Sequence, residues 1–531
     1  MDQIFYNGTI LPMTEETAVA EAMLCQDGYI AALGSMEEML ARQEGKEAEK
    51  VDLEGHVLMP GFIDGHSHLT AAAYQMALAD VSAPPSGSCA SIEELCDRLR
   101  QFLRENPPKA GGWLLGMGYD ASAYPEGKGP TRWDLDQVST EVPIAVTHAS
   151  GHLCVVNSLG LQLLGYLEEN PEIPVGGEVT QEGELKEQAF LAPQKQAILR
   201  GVAPVSMKEL IHKAAHMYAS YGITTVQDAK VSETEYRMLQ EAGNLPVDVV
   251  LYMVPDLARK CLPKQLPSQN PYHGSLRKAG EKLFLDGSPQ GKTAWLSQPY
   301  LKTPEGEDPS YRGMGMMTDE ELIRYMIEAE QCSWQLNIHA NGDEAIEQLI
   351  RCYEKAGGNG KTRPVVIHAQ TVREDQLARM ESLGLLCSFF LDHVYYWGDY
   401  HRDSVLGPER AERISPLRSA LRHHISFTLH QDTPVVPPNP ILALHNAVNR
   451  RTASGKLLGA AECITPYEAL RALTANGAYQ IFEENHKGIL KPGYLADLVI
   501  LDKNPLAISP DRLSSIRVLR TIKKGKTIYT I

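Results

Sequence analysis

The centre of the chain alternates short apolar runs with stretches of helical periodicity, the pattern of β/α units that feed a parallel sheet. In order the runs are PGFIDGHSH, GITTVQDA, DVVLYMV, EKLFLDGS, QLNIHANGD, PVVIHAQ, LCSFFLDHV and ISFTLHQD. Eight such strands are the number that closes a (β/α)8 barrel. A further run, VPIAVTHASGH at 142–152, falls in the long interval between the first two. It is assigned to an insertion of about residues 70–205, a segment too long for a plain loop, which must carry structure of its own. The two ends of the chain differ from its centre. Residues 1–58 and 483–531 hold short strand-like runs, such as IFYNGTIL, YIAALG and LADLVILD, broken by Gly, Pro, Asn and Asp. The expected fold is therefore α/β: a TIM-type (β/α)8 barrel over 59–482, with a long insertion after its first strand. A small β-sandwich domain is assembled from both termini. Helix starts are marked by capping-box patterns at Ser91–Glu94, Thr318–Glu321 and Thr465–Glu468.

Composition narrows the class without naming a chemistry. Over 531 residues, 43% are hydrophobic and 22% charged, the mix of a globular protein rather than a disordered one. The formal net charge of -17 repels nucleic-acid phosphates and anionic membranes, so neither is an expected partner. No apolar run approaches the ~20 residues of a transmembrane helix. The start, MDQIFYNGTILPM, lacks the layout of a signal peptide. Nine cysteines without a C-x-x-C pair read as reduced thiols, and the expected location is the cytoplasm.

The candidate chemistry starts with His66 and His68 in PGFIDGHSHL. Residues i and i+2 of a strand share a face, so both imidazoles would project together and can bind one divalent ion. Taken alone, two hydrogen-bonded strand-end histidines explain the pair equally well. The later runs change that balance: His339 in LNIHANGD, His368 in VVIHAQ and Asp432 in LHQDTP each end a strand. Barrel enzymes place their active sites at the C-terminal strand ends. A packed core histidine needs one hydrogen-bond partner and has no reason to share a mouth with four other such residues.

Lys282, in EKLFLDGS, lies on the strand face of Phe284 and Asp286. An uncharged lysine amine beside two cations can react with CO2 to form a carbamate that bridges them; on the residues alone, an ion pair with Asp286 is the plainer reading. Lys230 is a second candidate for the bridge. Three lookalikes are set aside. In GSPQGKT only three residues separate Gly287 from Gly291, where a phosphate-binding loop has four. His212 is followed by Lys213, so with His216 it makes no H-E-x-x-H motif. His423 and His424 are adjacent and diverge.

These segments, with the closing KPGYLADLVILD, resemble the amidohydrolase superfamily and, within it, the YtcJ-like metal-dependent amidohydrolases, in the same order and over nearly the whole chain. The resemblance implies that His66, His68, His339, His368 and Asp432 are metal ligands, with Lys282 as a carboxylated bridge. It also implies one or two divalent ions, zinc being expected. Asp432 would be the catalytic base for metal-assisted hydrolysis of a C–N bond in an amide, an N-acyl or N-formyl amine, or a cyclic amide. A deaminase acting on an amidine-type carbon is the rival within the superfamily, and a non-catalytic scaffold of the same fold the rival outside catalysis. Candidate substrate contacts are His148, His152 and Asn157 in THASGHLCVVNS, Asp286, His430 beside Asp432, and His393, Tyr396 and Trp397 in the aromatic segment DHVYYWGD. The expected partner is a small molecule, with a homodimer left open.

Overall fold

The computed structural model describes residues 2–42, 48–84, 87–121, 124–125, 127–149, 153–174, 177–187, 189, 192–193, 206–265, 270–304 and 306–531. Two compact units divide the chain, Met1–Thr70 with His212–Ile531, and Ala71–Ile211.

The first unit is built on an eight-stranded parallel sheet whose strands pair in chain order. They are β1 (Phe62–Ile63), β2 (Ile223–Val231), β3 (Asp248–Met253), β4 (Leu276–Phe284), β5 (Gln335–Ala340), β6 (Val365–His368), β7 (Leu386–Phe389) and β8 (Phe427–Leu429). Several are buried on both faces, β3 and β6 at every residue, as strands covered by helices outside and packed side chains inside must be. The sheet curls until its ends meet, yet among the described residues no ladder joins β8 to β1. With only two and three residues, these strands offer little backbone to pair. Other groups bridge the seam. The Gln480 amide donates to Gly65 O at 2.8 Å and accepts from Thr428 Oγ1 at 2.7 Å, and His68 N–H donates to Thr433 O at 2.9 Å. The approach is close enough that a Cβ on Gly65 would collide with the Thr428 and Ser388 hydroxyls, so only glycine fits there.

Both termini contribute to the β-structure beside this sheet. One sheet of four strands comes from the N-terminal segment alone, with order Tyr29–Gly34, Ala22–Gln26, Gln3–Tyr6 and Glu49–Asp52. The other pairs Val57–Pro60 with Leu498–Leu501, so N- and C-terminal residues share a ladder. Phe5, Met23, Ile30, Leu58, Leu498 and Ile522 bury one common core. In the second unit a six-stranded mixed sheet contains Ile144–His148, the run set apart from the barrel on sequence grounds. Its two faces bury Leu114 and Val146 on one side and Leu115 and Ala145 on the other, following the two-residue period of its strands. The helix-start patterns form complete capping boxes at Thr318 and Thr465. At Ser91 only half the box forms: its hydroxyl accepts from Glu94 N–H, while the Glu94 carboxylate turns to Ala90 N–H instead. Among the described residues, no helix is long and apolar enough to cross a membrane.

A buried charge cluster ties β3 to the C-terminal segment. The Asp248 carboxylate accepts from Lys487 Nζ at 2.6 Å and Lys523 Nζ at 2.5 Å, and Lys523 also donates to Asp497 at 2.5 Å. Burial opposes ionisation of Asp248, but the two ammonium groups outweigh it and hold its pKa below the usual carboxylate range. Lys487 is held above its usual value, since its carboxylate neighbours overcome the burial cost. The depressed Asp248 value contributes stability that is complete above the unfolded pKa of about 3.9 and is lost as pH falls through the folded one. The raised Lys487 value contributes stability that is complete below about pH 10.4 and is lost at higher pH. Asp248→Asn leaves two buried ammonium groups short of a partner and is expected to cost about 3–5 kcal/mol. Thermal midpoints measured against pH check this. The variant should melt lower near neutrality and lose part of the acid limb, and an unchanged midpoint would remove the cluster from the stabilising features.

Candidate metal centre

The site forms where the strands of the curled sheet end. β1 stops at Ile63, so His66 and His68 do not sit on a strand as expected; they follow it, and Ser67 between them bridges to Asp228 within β2. Their rings still converge, with centroids 5.1 Å apart. Lys282 and His339 project from β4 and β5, and His368 is the last residue of β6. His368 (φ 74°) and Asp432 (φ 54°) have left-handed backbone, uncommon for residues other than glycine and tolerated where the surroundings over-determine it.

Asp432 is the hub. Its Oδ1 lies 3.3 Å from His68 Nε2 and 3.6 Å from His66 Nε2, and its Oδ2 lies 3.8 Å from His368 Nε2. Two sets of ligand atoms lie mutually within 4.8 Å: His66, His68 and Asp432, and His368, His430 and Asp432. Lys282 Nζ lies 3.0 Å from His66 Nε2, within hydrogen-bond distance. Lys230 is exposed, with Nζ 5.4 Å from the Phe284 ring, so Lys282 rather than Lys230 stands among the histidines.

The tautomer of one imidazole follows from the acceptor that it faces. His68 Nδ1 is 2.9 Å from Ala229 O, and a carbonyl only accepts, so Nδ1 carries a proton and in the neutral ring Nε2 is the bare nitrogen facing Asp432. His339 Nε2 is 3.1 Å both from Gly287 O, an acceptor, and from Asn341 Nδ2, a donor, so neither contact alone sets its tautomer; its Nδ1 lies 3.1 Å from His368 Nε2. Among the described residues Asp432 Oδ1 has no hydrogen-bond donor at all, and it is buried. Lone pairs and a carboxylate that face one another without protons cost free energy unless a cation lies among them. Nitrogen and carboxylate donors of this kind suit a divalent ion such as zinc.

The titration behaviour agrees. Burial pulls His66 and His368 well below the usual imidazole range, His339 to about 4 and His430 to about 3. Burial also lowers Lys282 to about 7. For Asp432 burial works against ionisation, but a hydrogen bond from His68 and the charge of His368, His68 and His66, all in their protonated forms, outweigh it and hold its pKa well below the carboxylate range. Near neutrality His66, His339, His368 and His430 are thus neutral, the form in which an imidazole binds metal.

Residues 49–529 match the pattern of the amidohydrolase family. The chain belongs to the amidohydrolase family. It is 27% identical over 548 aligned positions to YtcJ of Bacillus subtilis (strain 168), a protein named as an amidohydrolase, covering 100% of this chain and 99% of that one. It is also 27% identical over 548 positions to the N-substituted formamide deformylase of Arthrobacter pascens, with 99% and 98% coverage. Among solved structures, an uncharacterized metal-dependent hydrolase from Pyrococcus horikoshii OT3 superposes with a TM-score of 0.76 at 26% identity, covering 96% of this chain and 99% of that one. The chain is accordingly a hydrolase of the metal-dependent amidohydrolase superfamily.

The residues expected to meet substrate fall in different surroundings. His393, Tyr396 and Trp397 follow β7 on the helix His393–Tyr400. They make an aromatic wall with Phe390, whose ring centroid is 4.3 Å from His393 and 6.1 Å from Trp397, and His393 in turn is 6.3 Å from His368. His430 lies deeper than a substrate contact would, fully buried and 3.3 Å from His368 Nδ1. The Asp286 carboxylate is spent on the backbone: it accepts from Trp295, Asn341 and Gly342 N–H at 2.7–3.0 Å and so anchors the loops after β4 and β5. Burial raises its pKa to about 7 against those donors.

In the second unit, His148 ends the strand Ile144–His148, half-buried, with its ring 5.0 Å from Tyr119 and Nε2 3.8 Å from Asp120. Asn157 is fully committed: its oxygen accepts from Ile144 and Gly160 N–H and its amide donates to Ser139 and Val142 carbonyls. Capping its own helix leaves the side chain nothing to offer a ligand. His152 lies outside the described residues. The decoys are occupied elsewhere, His212 on Ala242 O at 3.0 Å and His423 on Glu374 at 3.0 Å. Sequence reasoning passed over Ser388, Thr428 and Gln480, ordinary polar residues whose part in the site comes only from the fold.

Proposed function

We propose that this amidohydrolase cleaves the C–N bond of an amide, an N-acyl or N-formyl amine, or a cyclic amide. The observation that carries the reading is Asp432, whose buried Oδ1 finds no donor in hydrogen-bond geometry although it lies 3.3 Å from His68 Nε2 and 3.6 Å from His66 Nε2, with Oδ2 3.8 Å from His368 Nε2. His66, His68, His339, His368 and Asp432 would hold a divalent ion, zinc in the first instance. A carbamate on Lys282 would let the site hold two. A divalent ion bound there supplies a Lewis acid that polarises a carbonyl and acidifies water. Asp432 then takes a proton from the attacking water and returns it to the leaving nitrogen. The ring wall of Phe390, His393 and Trp397 would receive the apolar substituent, since aromatic faces bury large area at low entropic cost. Resemblance along the whole chain to an N-substituted formamide deformylase supports the N-formyl branch of this class.

The test is a panel of N-formyl and N-acyl amines, cyclic amides and amidine-type bases offered to protein of defined metal content, scored separately for free amine and for ammonia. Free amine from a formyl or acyl substrate is expected. Ammonia from the amidine members alone would make the chain a deaminase instead. Carboxylation of Lys282 has its own expected signature: the native mass of metal-loaded protein should exceed that of Lys282→Met by one CO2 and one metal ion beyond the side-chain difference.

A further inference from the structure

His368 differs from His68 in having no backbone carbonyl to settle which nitrogen carries its proton. Its Nδ1 faces another imidazole, His430 Nε2, at 3.3 Å, and Nε2 faces both Asp432 Oδ2 at 3.8 Å and His339 Nδ1 at 3.1 Å. Left to itself, the ring could put its proton on Nε2 and donate it to His339, which would block the nitrogen aimed at the metal position. What lies beyond His430 removes that freedom.

His430 Nδ1 is 2.8 Å from Ser388 Oγ, Ser388 Oγ is 2.8 Å from Thr428 Oγ1, and Thr428 Oγ1 is 2.7 Å from Gln480 Oε1. The row ends at Gln480 Nε2, 2.8 Å from Gly65 O and 3.1 Å from Gln227 Oε1. Ser388, Thr428, His430 and Gln480 are each at most 1% exposed. Proton positions follow from the terminal carbonyl. Gly65 O can only accept, so the Gln480 amide nitrogen must face it and the amide oxygen must face Thr428. An amide oxygen also only accepts, so the one Thr428 proton goes to Gln480. Thr428 Oγ1 must then accept from Ser388, which uses the one Ser388 proton. Ser388 Oγ must accept from His430, which puts a proton on His430 Nδ1 and leaves its Nε2 bare. His430 Nε2 must accept from His368 Nδ1. His368 Nε2 is left bare, toward Asp432.

We infer that Gln480, Thr428, Ser388 and His430 form a one-way hydrogen-bond row that sets the tautomer of His368, with Thr428 and Ser388 as positioning residues three and two hydrogen bonds from the ring they orient. The row begins at the carbonyl of Gly65, which immediately precedes His66, so the same anchor that closes the seam between β1 and β8 presents the His368 lone pair to the cluster. Partners beyond the ligands that fix an imidazole in this way typically alter metal affinity 10–100-fold. The inference rests on the reading of the cluster as a metal centre for its consequence, but the proton positions stand independently of it.

A matched pair at Thr428 tests it. Thr428→Val keeps the shape and removes the hydroxyl. Ser388 is then free to donate to His430 Nδ1, every proton beyond it reverses, and His368 Nε2 becomes protonated. Thr428→Ser keeps the hydroxyl and loses only a methyl group. The direct readout is the nitrogen-15 spectrum of histidine-labelled protein, with His368 and His430 assigned by substitution. In the unsubstituted protein and in Thr428→Ser both rings are expected as the Nδ1–H tautomer, and in Thr428→Val as the Nε2–H tautomer. Zinc affinity should fall about 10–100-fold in Thr428→Val and stay near the unsubstituted value in Thr428→Ser. If Thr428 only fills space, the order reverses, since Ser leaves a cavity and Val does not. Nε2–H rings in the unsubstituted protein, or no tautomer change in Thr428→Val, overturn the row. If the unsubstituted protein bound no zinc while the tautomers behaved as stated, the metal reading would fail and the row would stand.

Discussion

Asp432→Asn is expected to lower kcat by about 10²–10⁴-fold at saturating metal, the range over which a positioned acid–base group contributes. The substitution retains an oxygen at the hub and removes the group that accepts the proton of the attacking water. It also places an amide against His68 Nε2 and His66 Nε2, 3.3 Å and 3.6 Å from the present Oδ1, so a neutral hydrogen-bonded group replaces the carboxylate there. Metal content measured on the same preparation separates the two effects. A variant that keeps its ion and loses turnover supports the base, whereas full activity with the ion bound would assign the proton transfer to another group. The left-handed backbone at 432 suits asparagine as well as aspartate, so misfolding is not the expected cause of any loss.

The second large effect is expected at His68. His68→Ala removes a ring that is part-exposed, anchored by one bond to Ala229 O and otherwise turned toward Asp432. Little packing depends on it, so the fold should survive while the ion is lost. Affinity should fall by more than the 10–100-fold typical of partners beyond the ligands. Competition titration against a chelator measures this, and activity should return only at high added metal. His212→Ala is the control: that ring is bonded to Ala242 O, and the substitution should change neither affinity nor turnover. Equal affinity in the His68 and His212 variants would take His68 out of the ligand set.

Much of this was legible in the sequence because apolar runs and polar strand ends are local features. The eight runs appear in the structure as eight parallel strands in the same order, and each run that ends in His339 or His368 does so inside or at the end of its strand. Asp286 and Asn157 show where local reading fails. Both are polar, near the right segments and buried, but their hydrogen-bonding capacity is consumed by backbone groups that no spacing rule could locate. His430 was visible as a neighbour of Asp432, yet its contact with His368 depends on β6 and β8 lying across β7 from one another.

The sequence by itself determined the class of fold and the inventory of the site: His66, His68, Lys282, His339, His368 and Asp432 stand in runs whose order and polarity already imply a barrel with chemistry at one end. Tertiary structure alone decided protonation and geometry. Ala229 O fixes the His68 imidazole, the left-handed turns at His368 and Asp432 aim two more side chains into the cluster, and Gln480, far along the chain from Gly65, sets the direction of a row of protons. A hydrogen bond depends on distance and angle between groups that the chain brings together only on folding. Hydrophobic periodicity is written along the chain itself.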